Sequence, residues 1–367
     1  MLQVNDKFVI YFSKRSGKIL MKTIVKKTRE YGGLVLEERP VPTPGDNEVL
    51  IKTKKTAICG TDLHIYSWNS WAKKTIKTPQ IIGHEFVGEV AEIGRGVTNV
   101  TVGQLVSGEG HLFCGQCRRC MTGTPHLCRE ASGIGVNMDG AFAEYFTFPA
   151  SNLWICDENI PLNVLAIMDP LGNATHTVRS FDVLGEDVLV TGAGPIGLMS
   201  VPILRRAGAR NIVVTDINAK RLELAKVLGA TATVDVRTEK IADIMPNLKP
   251  AMVEGFDIGL EMSGSAEGFN DMIGTMANGG KIAILGFLPP EAQIEWDTMI
   301  FKSLTLKGVY GREMFDTWYQ MTALLQSGLV DDILKIITHE FHYTDFIEGF
   351  ELMKSGKSGK IILDWMN

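Results

Sequence analysis

The stretch Val188-Leu189-Val190-Thr191-Gly192-Ala193-Gly194-Pro195-Ile196-Gly197 restricts what this chain can fold into more than any other. An apolar strand that runs directly into G-x-G-x-x-G and then into a helical segment suits one arrangement, a strand that ends, turns tightly and feeds a helix packed back on its own sheet. Gly192 permits the turn, Gly194 lets the backbone approach a pyrophosphate, and Gly197 lets helix and strand pack closely, while the helix N-terminus offers free N–H donors to phosphate. A second strand ends at Asp216, about twenty residues further on. A carboxylate there can accept both hydroxyls of an adenosine ribose and repels a 2′-phosphate. NAD is therefore expected rather than NADP, with Arg221 close enough in sequence to complicate that choice.

The periodicity on either side supports the same architecture. Asp187 to Thr191, Asn211 to Thr215, Ala232 to Val236, Phe256 to Met262, Lys281 to Leu285 and Leu304 to Tyr310 read as buried strands alternating with helix-length segments, the pattern of a doubly wound parallel sheet. Ala219 to Leu228 sets Leu222, Ala225 and Leu228 on one helical face, and Pro202 inside the first helix predicts a kink. Up to about Asp169 the character differs: short β-like stretches such as Glu48 to Ile58 and Phe86 to Ile93, divided by Gly, Pro, Asn and Asp, predict a barrel-like all-β domain. The fold class is α/β, a β-barrel ahead of a parallel sheet.

At 367 residues the chain fits two domains at about 150 residues each. The division expected is an extension 1–20, a catalytic domain 21–170, a nucleotide-binding domain 171–316 and a tail 317–367. The tail reads as helical from Met314 to Gln326, strand-like at His339 to His342, helical from Thr344 to Lys354 and strand-like from Lys360 to Trp365. Lys14, Arg15 and Lys18 near Ser13 and Ser16 could form a weak targeting segment; an upstream extension with Met21 as an alternative start is the preferred reading.

Four of the six cysteines fall in Cys114-x2-Cys117-x2-Cys120-x7-Cys128. Four thiolates in one short loop suit the closed tetrahedral site of structural zinc, with a redox cluster or a disulfide pair as the competing readings. A second constellation joins Cys59-Gly60-Thr61-Asp62-x-His64 to Gly83-His84-Glu85. Cys59 and His84 are metal-ligand types, and an oxygen from Glu85 or from Asp169 would complete three ligands and leave one position open for water or a substrate hydroxyl.

Gly83-His84-Glu85 with Gly88, the four-cysteine lobe and the later glycine turn occur in the order found in zinc-containing medium-chain alcohol dehydrogenases, which the chain resembles from about Met21 onward. The resemblance implies a GroES-like β-barrel catalytic domain, a Rossmann domain, a tail that returns to the catalytic domain, two zinc ions per subunit and, as is common in microbial members, a homotetramer. Carried over residue by residue, it implies that Cys59, His84 and Glu85 bind catalytic zinc, that Thr61 and His64 serve a proton relay, and that Asp169 lies beside the metal. It suggests Ile196, Asp216, Arg221, Leu285, Gly286, Phe287, Val309 and Tyr310 as NAD contacts alongside the glycines. The wording of Thr56 to Tyr66, Ser107 to His111, Asp169 to Ala174 and Tyr310 to Phe315 is similar to the branch of that family whose substrate is L-threonine. That likeness implies oxidation to 2-amino-3-oxobutanoate. A pocket for such a substrate should hold a zwitterion, so Arg312 or a nearby donor is expected to pair the carboxylate, with His111 helping to shape the substrate end.

Charge excludes other classes. Forty-two acidic against 37 basic residues give a formal net charge of -5, so no general basic field attracts nucleic acid or an anionic membrane. No apolar run approaches the ~18 residues of a membrane-spanning helix, Phe8 to Phe12 being far too short. Clustered thiols point to a reducing compartment, the cytoplasm. The expected partner is a small molecule, with no nucleic acid and no membrane. The competing functions are a polyol or butanediol dehydrogenase on the same scaffold, a zinc module that binds nucleic acid or protein, and a nucleotide-binding protein without catalysis.

Overall fold

The computed structural model describes residues 14–15, 18–248 and 254–366. Most of the 1–20 extension, including Phe8 to Phe12, lies outside the described residues; the strand Lys18–Lys26 carries Met21 inside it, buried.

The chain adopts the expected α/β class. Its second half builds a six-stranded parallel sheet in the spatial order Ala232–Asp235, Asn211–Asp216, Asp187–Thr191, Phe256–Glu261, Met276–Ile284 and Thr305–Gly308. The strand order reverses between Asp187–Thr191 and Phe256–Glu261, and a crevice opens beyond the strands' carboxyl ends at such a switch point. Every residue of Asp187–Thr191 is buried, as a strand covered on both faces by helices requires. Burying each of Val188, Leu189 and Val190 contributes about 1.5–3 kcal/mol before entropy is charged against it.

Helix Ala219–Leu228 buries Leu222, Ala225 and Leu228, the stripe its spacing predicts. The Asn218 side chain accepts from the Lys220 and Arg221 amides at its start, and Gly229 closes it in the left-handed region at φ 108°. Helix Pro195–Arg206 contains Pro202 and continues past it.

The first half forms a seven-stranded sheet and a four-stranded one. In the larger sheet, Glu48–Ile58 pairs antiparallel with Glu85–Ile93, with Tyr145–Pro149 along one half of its other edge and with Lys360–Asp364 along the rest. Ile337–His342 then lies parallel to Lys360–Asp364, so two strands from the tail stand in the same sheet as the early strands. A single apolar cluster that includes Ala57, Val87, Leu171, Val190, Trp318 and Ile362 joins this sheet to the parallel one. Helix Met168–Val178, almost wholly buried, lies within that cluster.

Candidate active site

Antiparallel pairing decides what meets at the end of the large sheet. Ala57 faces Glu85 in register, so Cys59, two residues beyond Ala57, arrives beside His84 and Glu85. Gly83 turns the chain into the strand Glu85–Ile93 at φ 89°, and a Cβ there would fall 2.0 Å from the Phe142 ring, so no larger residue fits. Cys59 caps helix Gly60–Ser67, its backbone N–H donating to Asp62 Oδ2 at 2.9 Å. That helix carries the partly buried Thr61 and the exposed His64, whose Nδ1 lies 2.9 Å from the Asn69 amide nitrogen.

Ligand atoms of Cys59, His84 and Glu85 all lie within 4.8 Å of one another. His84 Nδ1 and Glu85 Oε1 are buried without a hydrogen-bond partner among the described residues, which is costly unless something else satisfies them. Asp62, fully buried, places Oδ1 3.8 Å from His84 Nδ1, and the Lys360 ammonium lies 2.5 Å from Glu85 Oε2. Burial pushes the carboxyls of Asp62 and Glu85 above their ordinary range. Burial opposes a charge on His84, yet Cys59 and Asp62 raise its pKa well above the ordinary value. A cluster whose anions favour positive charge on an imidazole, and in which His84 Nδ1 and Glu85 Oε1 lack partners, fits a metal cation.

The four cysteines of the lobe converge as well, with ligand atoms within 4.8 Å. Sulfur separations of 3.5 Å for Cys117–Cys120, 3.9 Å for Cys117–Cys128 and 3.5 Å for Cys114–Cys128 leave all of them as free thiols. A tetrahedron with zinc–sulfur bonds of about 2.3 Å has edges of roughly 3.8 Å, close to these values. Backbone N–H groups of Cys120 and Arg129 lower the Cys117 thiol to about 6, while burial pushes Cys120 up to about 12. Replacing Cys117 by Ser is expected to cost one zinc per subunit and to lower the melting temperature by on the order of 5 °C or more. Metal content and a thermal melt check this, and an unaltered melt counts against structural zinc.

The glycine turn has the shape that its sequence suggests. A Cβ on Gly192 (φ 88°) would meet Ser263 Cα at 2.8 Å and one on Gly197 would meet Gly192 O at 2.0 Å, whereas Gly194 faces open space. Asp216 Oδ2 accepts from the Ala193 amide at 2.7 Å, tying the carboxylate to the turn. Ile196 stands in the helix's first turn and Arg221 in the next helix, both partly buried. Leu285, Gly286 and Phe287 follow the strand ending at Ile284, and Val309 and Tyr310 follow the one ending at Gly308, so all of them lie on the carboxyl edge of the sheet. Phe287 and Tyr310 are exposed, and the Tyr310 ring packs 4.8 Å from that of His111.

One expectation is corrected. Arg312 is 2% exposed and already committed: Nε donates to Glu109 Oε2 at 2.9 Å, Nη2 contacts Glu109 Oε1 and lies 2.8 Å from Asp169 Oδ2, and Nη1 reaches Asn173 Oδ1 at 3.3 Å. A guanidinium enclosed by two carboxylates has no free edge for a substrate carboxylate. Trp318 Nε1 also donates to Glu109, at 3.0 Å. Burial alone would raise the Glu109 carboxyl, but Arg312 and His111 hold it far below the usual carboxylate range. Asp169 thus faces Arg312 and does not join the Cys59, His84 and Glu85 atoms.

Four site residues were not foreseen. Asp62 and Glu109 sit inside the motifs Cys59 to His64 and Ser107 to His111, where their spacing to a ligand was visible. Asn173 stands on the helix that carries Asp169. Lys360 has no local signal, because its partner lies on a strand far earlier in the chain.

Comparison with known proteins agrees with this geometry. Residues 45–158 match the family described as alcohol dehydrogenase GroES-like domain, and residues 195–327 match zinc-binding dehydrogenase. An L-threonine 3-dehydrogenase of Mesorhizobium japonicum is 56% identical over 94% of this chain and 99% of its own length. Among solved structures, an alcohol dehydrogenase from E. coli CFT073 complexed with cofactor NADH superposes with a TM-score of 0.84 at 26% identity, over 94% and 99% of the two chains. The 2R,3R-butanediol dehydrogenase of Bacillus subtilis gives 0.83 at 26%, over the same shares. Barrel, parallel sheet, paired cysteine sites and near-full-length identity together place this chain in the zinc-binding medium-chain alcohol dehydrogenase family, on the branch of the L-threonine 3-dehydrogenases.

Proposed function

We propose that this enzyme oxidises the secondary alcohol of L-threonine to 2-amino-3-oxobutanoate, passing hydride to NAD and a proton to solvent, as a step in threonine breakdown towards glycine. The observation that carries the reading is the meeting of Cys59, His84 and Glu85 at one sheet end, in a chain whose long relatives bear that name. Zinc held by these three residues would supply Lewis acidity, making the alcohol's proton easier to remove. The chain's own side chains do the rest. Thr61 and His64 share one helix, giving the proton a hydroxyl near the cluster and an imidazole at the surface from which to leave. The glycine turn and the carboxyl-edge residues hold the coenzyme, and Asp216 selects NAD through the ribose. The barrel holds the alcohol, so the carbinol carbon and the nicotinamide are fixed by two different halves.

In this reading Arg312 is a positioning residue that fixes Asp169 and Glu109, and His111, partly exposed against Tyr310, shapes the substrate end. The catalytic part comprises residues 21–170 with 317–367, and the coenzyme part 171–316. NADH formation from L-threonine should exceed that from 2,3-butanediol and from polyols by more than an order of magnitude in kcat/KM, and should stop with a zinc chelator. Equal rates across such a panel would favour the polyol or butanediol reading.

We also propose a cytoplasmic homotetramer. Two features support it: the six free cysteines, and the exposed Trp296, Ile300 and Phe301 beside the sheet's edge strand Thr305–Gly308. An edge strand with apolar neighbours is a pairing surface for another copy. Light scattering tests the stoichiometry. Among the described residues no helix is long and apolar enough to cross a membrane.

A further inference from the structure

Helix Met168–Val178 is buried along almost its whole length, yet Asp169, Asn173 and His176 follow one another at intervals of four and three residues and so share one face. All three address the turn that leaves the strand Thr305–Gly308. Asp169 Oδ2 lies 2.8 Å from Arg312 Nη2, Asn173 Oδ1 accepts from Arg312 Nη1 at 3.3 Å, and His176 Nδ1 lies 2.9 Å from the Gly311 carbonyl oxygen. A Cβ on Gly172, on the same face, would fall 2.5 Å from Arg312 Cγ, so helix and turn are fitted closely. A carbonyl oxygen can only accept, so Nδ1 of His176 carries the hydrogen. Burial holds the pKa of this ring below its ordinary value, which favours the neutral form with that hydrogen as its only one.

His111 stands on the other side of the turn. Gly311 has φ 61°, in the left-handed region, and a Cβ there would fall 2.8 Å from His111 Nδ1. The Tyr310 ring packs 4.8 Å from the His111 ring, and Arg312 Nη2 lies 3.4 Å from His111 Nδ1. Three consecutive residues thus back His111, and the carbonyl of the middle one is fastened by His176.

We propose that His176 is a positioning residue that sets the enzyme's discrimination between alcohols by fixing Gly311, and with it Tyr310, against His111. This rests on the reading of His111 as shaping the substrate end. Without the bond, the Gly311 carbonyl would be a buried acceptor lacking a donor, and the turn would relieve that by rotating its peptide away from the helix. His111 would lose its backing, the substrate end would loosen, and an alcohol that fits less well than L-threonine would be penalised less.

The test is kcat and KM for L-threonine and for 2,3-butanediol, with a thermal melt to show that each variant is folded. His176→Leu, close in size but without a donor, is expected to raise KM for L-threonine by about tenfold with a smaller change in kcat, and to lower the preference for L-threonine over 2,3-butanediol by a similar factor. His176→Asn sets an amide N–H where Nδ1 stands and should restore most of the preference. His176→Gln carries its amide one bond further out and should not. Unchanged preference in His176→Leu, or equal losses in His176→Asn and His176→Gln, overturns the proposal. His111→Ala separates this outcome from the reading beneath it. If His111→Ala leaves KM and preference as in the wild type, the reading of the substrate end fails and the proposal with it. If His111→Ala changes them, adding His176→Leu on that background should change little more. A further loss as large as that of His176→Leu alone would show that His176 does not act through His111, and would overturn the proposal while leaving the reading of His111 in place.

Discussion

Replacing Cys59 by Ser is expected to abolish turnover while leaving NADH binding nearly intact. Serine at this position offers a neutral hydroxyl where the site needs a thiolate, so one of three proposed ligands loses its negative charge. Changes to groups that merely orient a metal ligand cost about 10–100-fold in affinity or activity, and loss of a ligand should exceed that range. The proposed coenzyme contacts lie on the parallel sheet, from the Gly192 turn to Tyr310, and Cys59 directly follows a strand of a different sheet. Steady-state turnover with L-threonine and NADH fluorescence titration separate the two effects. Retained turnover would refute the catalytic assignment, and lost NADH binding would point to a folding defect.

Replacing Arg312 by Ala is expected to destabilise the fold by about 3–5 kcal/mol, the range for removing one partner of a buried ion pair. The residue stands between Glu109 and Asp169, and both carboxylates would stay buried without their counter-charge. The sign of the pH dependence follows from Glu109, whose carboxyl is held far below its ordinary value of 4.5 in the folded chain. Its stabilising effect is complete above that value and drains away as pH falls towards the folded pKa. The gap in stability between wild type and variant should thus be widest near neutrality and narrow below pH about 4.5. Denaturant unfolding at several pH values measures it. A gap that stays constant through the acid range would mean that the pair contributes little.

How much could be read from the residues alone depended on how local each contact is. The glycine turn was legible because Gly192, Gly194 and Gly197 each answer a steric demand made within ten residues, and the clashes that a Cβ would meet are the ones their spacing implies. The four-cysteine loop was legible for the same reason. Sequence left the proposed oxygen ligand open, since Glu85 and Asp169 both suited it, and the register of Ala57 against Glu85 is what brings Glu85 beside Cys59. Arg312 misled because an arginine in a substrate loop suggests an anion from outside, whereas two internal carboxylates, one of them over two hundred positions earlier, reach it first. Lys360 was invisible: a lysine directly after the stretch Gly356 to Gly359 reads as solvated until the strand's pairing turns it inward.

The order of synthesis gives the stitched sheet a further consequence. Translation delivers the cysteine, histidine and glutamate of the proposed metal cluster early, but the strand that walls them in, inserted between Glu48–Ile58 and Ile337–His342, emerges from the ribosome only after the whole coenzyme half. The nascent barrel must therefore wait with an open seam while a later unit folds, and such a seam is prone to misassembly. Chaperone dependence and metal loading in the cell should accordingly be governed by completion of that seam, after the coenzyme half has already become able to fold.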